Sequence, residues 1–510
     1  MEIASISLAF IWAVFLVSIL SVPGIRHGIN LADEGYLWLG SLKVMRGAIP
    51  IRDFRAYDIG RYYWCALWMR FLGRDLVSLR IALILTQLVA LTLAVHALYI
   101  ATGQWAETAL ASLILAAWML PRYKHVDIVF PIAAVLVALL LAGNPVAHNY
   151  AVAGLFVGVC AWFGLNHALY AAGGMALLIG MMVFNGHGLG GGESFALYAA
   201  GLAVGAIPAL LSTMMIPGLR QAYWRRKILM PIRRGTTNLP LPLPWLWRAV
   251  PQQLRHLSGC ARQVVRATFT LMPFLYGFIL LRAVIGQGAM APAHWPEIAA
   301  ACVGVFYLHH ATSRADIGHL AQASPPLIIG LGLMLSGHAY GWAILSGLAI
   351  VSLWCVYRPH ESIAKAWLGS EKLQRTEFNG NVLWLDETMA QYLSALHGLV
   401  EKYSNANEPV LLLPKLVTLY PLFAREPAVY DVFCVYAAGE EAQTEMIDQL
   451  QASQARLAII DNAPIDSREE LRFGNTHPRV WDHLHREYAK LDKVPGLSEN
   501  HHVFIKSPPS

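Results

Sequence analysis

The chain has 510 residues, of which 56% are hydrophobic and only 14% charged. A soluble domain carries about a quarter charged residues, so this composition excludes a chain held wholly in water. The net charge of +6 is modest for the length and leaves no nucleic-acid footprint. A helix that crosses a bilayer needs about twenty apolar residues, and runs free of Asp, Glu, Lys and Arg mark the candidates. Residues 3–22 form the first. They lack a basic lead and a small-residue cleavage site, so they are expected to be a retained anchor. Residues 81–106 make the second and 108–121 a short third. The charge-free run 128–192 holds three more, with breaks at Asn144-Pro145, Asn166-His167 and Asn185-Gly186. Residues 195–217 are the seventh. Residues 267–285 are the eighth, with Arg282 near the end and able to snorkel. Residues 298–311 make a short ninth, and 317–357 two more, broken near Gly337-His338. The expectation is a mainly α membrane protein of about eleven transmembrane helices.

From His360 onward the pattern changes. Residues 382–385, 410–413, 457–460 and 503–505 read as short buried strands, separated by helix-like stretches at 387–403, 440–452 and 478–490. Strands alternating with helices predict a soluble α/β domain over 359–510, following a polytopic domain over 1–358. Within the latter, two polar segments stand out: a first loop, 23–78, and a basic loop, 219–266, with ten Lys or Arg and no acid. In an eleven-span plan nearly all polar segments fall on one face, as expected of an enzyme working at one membrane surface. A transporter needs polar access on both.

Several patterns carry little chemistry. The six cysteines are scattered without CxxC spacing, and only Cys434 lies in the polar C-terminal part, so no disulfide framework is visible. Gly186-His187-Gly188-Leu189-Gly190-Gly191 matches a dinucleotide fingerprint in letters but follows a membrane helix, which makes it a turn. Gly154/Gly158 and Gly201/Gly205 have the spacing of close helix packing. His309-His310 lacks any companion metal motif and reads as a packed or interfacial pair. Asp386-Glu387 reads as a helix cap.

The first loop is the dense one. It holds Asp33-Glu34-Gly35-Tyr36, then Gly47-Ala48-Ile49-Pro50-Ile51-Arg52-Asp53-Phe54, then Arg61-Tyr62-Tyr63-Trp64, and Phe71-Leu72-Gly73 leading to Arg80. In order and spacing these elements resemble the first loop of the GT-C glycosyltransferases, polytopic enzymes that use polyprenyl-phosphate sugars. The likeness is to bacterial members of the protein-mannosyltransferase and aminoarabinose-transferase kind. It covers about fifty residues closely. One departure is Tyr57-Asp58-Ile59-Gly60-Arg61, where aminoarabinose transferases carry a Lys-Pro-Pro, so no one subfamily's substrate carries over. The resemblance implies an inner or plasma membrane enzyme with a cytoplasmic N-terminus, an external first loop and a periplasmic or external C-terminal domain. The excess of Lys and Arg on that same face would place it in the cytoplasm. The family orientation is adopted here.

The activity implied is inverting transfer of one hexosyl or pentosyl unit from a lipid-phosphate donor to an envelope glycan, lipid or protein, without cofactor or metal. A polymerase or ligase using a whole lipid-linked glycan, and a transporter or flippase, remain the alternatives. By family position Asp33 would be the base that takes the acceptor proton, Glu34 would orient it or bind the acceptor, and Asp53 would assist in the acceptor site. The bland readings are helix capping for the first two and an ion pair with Arg52 or Arg55 for the third. Arg61 and Tyr62 would contact phosphate and sugar, or belong to an interfacial aromatic belt. Cations would stabilise the leaving phosphate. The candidates are Arg122, Lys124 and His125; Arg225, Arg226, Arg233 and Arg234, which would otherwise meet anionic headgroups; and Arg314 with Asp316 and His319, which share a helix face.

Overall fold

The structure is a computed structural model that describes residues 2–230, 238–242, 252–255, 257–286, 292–360, 364, 372–492 and 494–506. It divides into two compact units. One comprises Met1–Ile25, Ile81–Ser212 and Asn238–Lys365; the other Arg26–Arg80, Thr213–Thr237 and Ala366–Ser510.

The first unit is helical. Among the described residues six helices are long and apolar enough to cross a membrane: Leu76–Thr102, Arg122–Gly143, Leu165–Phe184, Gly191–Met215, Gly259–Ile285 and Gly341–His360. A seventh candidate is the pair Ile317–Ala323 and Pro325–Leu335, bent by 51° at the break. Among the described residues the candidates thus number six or seven and not the expected eleven. Charge-free runs overcount because they ignore where helices stop. Ser5–Leu20, Trp105–Trp118 and Ala147–Phe163 are apolar but fall below 18 residues. Trp295–Ser313 is long enough, yet it carries Glu297, His309 and His310 and is too polar. The 51° bend falls at Ser324-Pro325-Pro326: proline removes a backbone donor and disfavours helical geometry in the residue before it.

Small residues set the closest helix contact. A Cβ on Gly154 would strike the backbone of Tyr198, one on Gly158 that of Gly205 and Ala206, and ones on Gly201 and Gly205 the carbonyls of Ala151 and Leu155. The helices Ala147–Phe163 and Gly191–Gly205 thus meet backbone to backbone through four glycines at i, i+4 spacing.

The second unit carries the sheets. β1 (Leu373–Phe378) and β2 (Asn381–Asp386) form an antiparallel hairpin. Its turn, Asn379-Gly380, has φ of 44° and 75°, the left-handed pair a two-residue hairpin requires. β3 (Leu411–Leu413), β4 (Leu457–Asp461), β5 (Ala489–Lys490) and β6 (His501–Ile505) build a sheet of order β3-β4-β6-β5, parallel only between β3 and β4. The helices Glu387–Tyr403, Glu440–Ser453 and Pro478–Glu487 accompany it. Leu411, Leu413, Ala458, Ile460, Val480, Leu484 and Phe504 share one buried core. Asp386 caps the first of those helices, accepting from the Met389 amide at 2.9 Å. The hairpin strand β1, Leu-Gln-Arg-Thr-Glu-Phe, is too polar to have been marked as a buried strand.

Candidate functional site

The second unit brings the first loop, part of the basic segment and the C-terminal residues together. Just ahead of the helix Asp33–Met45, the Asn30 Oδ1 accepts from the amides of Ala32 (3.1 Å) and Glu34 (3.3 Å). Glu34 returns the contact, its Oε2 accepting from the Asn30 amide at 3.3 Å. Glu34 is 1% exposed and Arg80 wholly buried. They form a two-pronged pair, with Arg80 Nε donating to Oε1 at 2.7 Å and Nη2 to Oε2 at 2.8 Å. Arg80 Nη2 also donates to the Gly28 carbonyl at 2.8 Å. Glu34 therefore locks the loop 27–34 to the first turn of the helix Leu76–Thr102.

Asp33 is half-buried, and its Oδ1 accepts from the Tyr57 hydroxyl at 2.9 Å. Burial, together with the charge and hydrogen bond of Asp33, pushes the Tyr57 phenol well above its usual range, so it stays a proton-bearing donor to the carboxylate. Tyr57 is itself held in place. Its amide donates to the Tyr62 hydroxyl at 3.2 Å, its ring meets Tyr36 edge-on at 4.7 Å, and Lys227 Nζ donates to its carbonyl. Tyr62 is fully buried against Tyr36 and Phe54, so it supports the loop from within. Arg61 is buried too, 5.4 Å from the Tyr57 ring and 3.9 Å from the Asp58 carboxylate, which Lys227 approaches to 3.3 Å. Lys227 belongs to the basic run Arg225-Arg226-Lys227 that the sequence offers for the leaving phosphate, whereas Asp58 marks only the departure from the family pattern.

Asp53 is elsewhere in the loop and exposed. Its carboxylate takes Arg52 Nε (2.7 Å), Arg52 Nη2 (2.9 Å) and the Ile49 amide (2.8 Å). The hydrogen bond from Arg52 holds it below the usual carboxylate range. This knot closes the turn in which Ile51 has a φ of 73°.

Arg225, Arg226 and Lys227 lie on a π-helical turn, Trp224–Leu229. Such widened turns are rare and often mark functional positions. Arg225 pairs with Glu441 at 2.5 Å, and Arg226 pairs with Glu445 at 2.7 Å and lies 3.5 Å over the Tyr430 ring. Arg233 and Arg234 lie outside the described residues. Two further contacts join C-terminal residues to the loop. Arg55 pairs with Asp431 and donates to the Phe433 carbonyl at 2.5 Å. The Thr418 amide donates to the Leu31 carbonyl at 2.9 Å.

The remaining candidates lie in the helical unit. Arg122 and His125 line one pocket with Ser21, Gln87 and Tyr357. Arg122 donates to the Gly24 carbonyl at 2.6 Å, and His125 is buried between the carbonyls of Leu83 (3.2 Å) and Met119 (3.0 Å). Lys124 stands 6.0 Å from the Tyr123 ring centre. Asp316 organises its neighbours, with Oδ2 on Arg314 Nε and Oδ1 on both the amide and Nδ1 of His319, all at 2.9 Å. Burial acts to raise the Asp316 carboxyl, but His319 and then Arg314 hold it down, at about 2.

This cluster continues through His310, expected only as a packed or interfacial residue, and through His167, expected only at a helix break. The His319 ring lies 5.3 Å from that of His310, which is 6.1 Å from that of His167. His167 is wholly buried between Asp127 (3.1 Å) and the Tyr307 hydroxyl (3.2 Å). The available signal was ionisable side chains at the edges of apolar helices, which are costly to keep there. Among the described residues no group of three or more His, Cys, Asp or Glu is placed to hold a metal ion. No protein-family model and no curated protein sequence matches the chain.

Proposed function

We propose that the protein is a membrane glycosyltransferase that moves a sugar from a polyprenyl-phosphate donor to an envelope glycan, lipid or protein, with Asp33 as the general base. The observation that carries this reading is the division of labour in the acidic pair. Glu34 is consumed in a buried clamp with Arg80, while Asp33 is half-buried and oriented by a protonated Tyr57. A base must be held in one geometry and still reach its substrate, and the clamp beside it supplies the rigidity. In this reading the acceptor hydroxyl approaches Asp33 and gives up its proton as it attacks the anomeric carbon. The bond from that carbon to the donor phosphate breaks, and Lys227 and Arg61, which flank Asp58, are the cations suited to the charge that develops on the phosphate. The apolar helices keep the enzyme in the bilayer that dissolves a polyprenyl tail, and the envelope-facing orientation follows from the family resemblance.

A second reading, a transporter or flippase, is favoured by two observations in the helical unit. One is the bent helix pair at Ser324-Pro325. The other is the chain of Asp127, His167, His310 and His319, the kind of intramembrane ionisable path that proton-coupled carriers use. The deciding experiment is Asp33→Asn in purified enzyme with a radiolabelled polyprenyl-phosphate sugar. Loss of a positioned base lowers turnover by about 10² to 10⁴, with donor binding retained. Turnover near that of the unaltered protein removes Asp33 as the base. Lipid-sugar movement between leaflets without transfer supports the carrier.

A further inference from the structure

Cys260 and Cys355 are 95 residues apart in sequence, yet their Sγ atoms stand 2.8 Å apart. Cys65, Cys160, Cys302 and Cys434 are all buried, and among the described residues Cys260 and Cys355 are the one pair of cysteines whose sulfurs meet. Cys260 is the second residue of the helix Gly259–Ile285 and is exposed; Cys355 lies on the π-helical turn Leu353–Tyr357 and is 2% exposed. A disulfide spans about 2.0 Å, so closure asks the sulfurs to move by under about 1 Å. We propose that these residues form a redox-active dithiol whose closure ties the start of the helix Gly259–Ile285 to the end of the last apolar helix.

The difference in exposure fixes the order of events. The Cys260 thiolate attacks a disulfide presented from solution, such as an oxidised glutathione or a thiol oxidoreductase, and displaces one of its thiolates. Cys355 then attacks the Cys260 sulfur of that mixed disulfide and displaces the second. The two protons lost by Cys260 and Cys355 are taken up by the two released thiolates, and the two electrons reside in the reduced reagent. Closure is favoured on an oxidising side of the membrane and suppressed in a reducing cytosol.

The test uses the full-length protein in its membranes. One portion is alkylated directly with N-ethylmaleimide, and another after exposure to oxidised glutathione; both are then mapped by mass spectrometry without reductant. The expected product is one peptide pair joined through Cys260 and Cys355, two hydrogens lighter than the separate peptides and released by dithiothreitol. In Cys260→Ser that product disappears and Cys355 is recovered as the alkylated thiol. A link present before oxidant supports the proposal and puts this end of the helices on the oxidising side. A link formed only after oxidant also supports it and puts that end in the cytosol. Recovery of both residues alkylated after oxidant overturns it, as does glutathione retained on Cys260 beside an unreacted Cys355.

Discussion

The pair Glu34–Arg80 permits a quantitative test of how the candidate base is held. Both side chains are buried, and both guanidinium-to-carboxylate bonds are short, at 2.7 and 2.8 Å. Arg80→Met leaves a buried carboxylate without its cation, and Glu34→Gln leaves a buried guanidinium without its anion. Breaking such a pair from one side costs about 3 to 5 kcal/mol. The double variant removes both charges together, so its cost should fall below the sum of the single ones by about 2 kcal/mol or more. Denaturant unfolding of the detergent-solubilised full-length protein, run for the four members of this cycle, measures each difference. Catalysis separates from stability in the same set, because Glu34→Gln that remains folded should keep most of its turnover per molecule. Single variants costing under about 1 kcal/mol, or costs that simply add, would refute the clamp. A Glu34→Gln enzyme that folds normally and is inactive would move the catalytic role from Asp33 to Glu34.

Tyr57→Phe removes the donor that stabilises ionised Asp33, so the acid limb of the pH–rate profile should move to higher pH; an unchanged or lowered limb would show that Tyr57 does not act on the base. Arg226→Gln should expose the segment around residue 226 to trypsin and weaken activity, and the swap Arg226→Glu with Glu445→Arg should restore both. Donor KM that stays high in the swapped protein would mean that Arg226 binds the donor and not the C-terminal helix. His477 is buried and stacked on Phe473, and burial lowers its imidazole to about 4. An unfolded histidine binds its proton near 6.5. The stability due to keeping His477 neutral is therefore full above that pH and is lost as the pH falls from about 6.5 to about 4, on the order of 3 kcal/mol in all. His477→Gln should flatten denaturation midpoints over that window, and an unaltered slope would assign the acid sensitivity to other groups.

What the sequence made legible is local. The helices Glu387–Tyr403 and Glu440–Ser453 and the strands β2, β3, β4 and β6 follow from short-range periodicity and lie close to where the pattern puts them. The glycine pairs report their own contact, since i, i+4 spacing with no side chain has one common use in an apolar helix. Helix count failed for a matching reason. Hydropathy records how greasy a run is, whereas the length of a helix depends on breaks such as Pro325, and a segment like Ala147–Phe163 stays apolar while falling short of a span.

The site was less legible because its defining contacts join distant residues. Arg55 and Asp431 are 376 positions apart, and Arg226 and Glu445 are 219 apart. For Arg55 the sequence offers the nearby Asp53 as a partner, and for Arg226 no acid at all, so a run of cations in a loop beside a membrane reads equally as a phosphate site or a headgroup contact. In the structure these charges are paired with acids of the same unit. The C-terminal residues hold the loop: Asp431 takes Arg55, Phe433 stacks on Tyr36 at 5.2 Å, and the Tyr430 hydroxyl donates to the Ile51 carbonyl at 2.6 Å. Tyr36 in turn packs against Tyr57, the residue that bonds Asp33. The position of the candidate base therefore depends on residues four hundred positions away, through packed rings and paired charges. A detached cover over an active site would need no such contacts. The C-terminal residues are better described as part of the scaffold that positions Asp33.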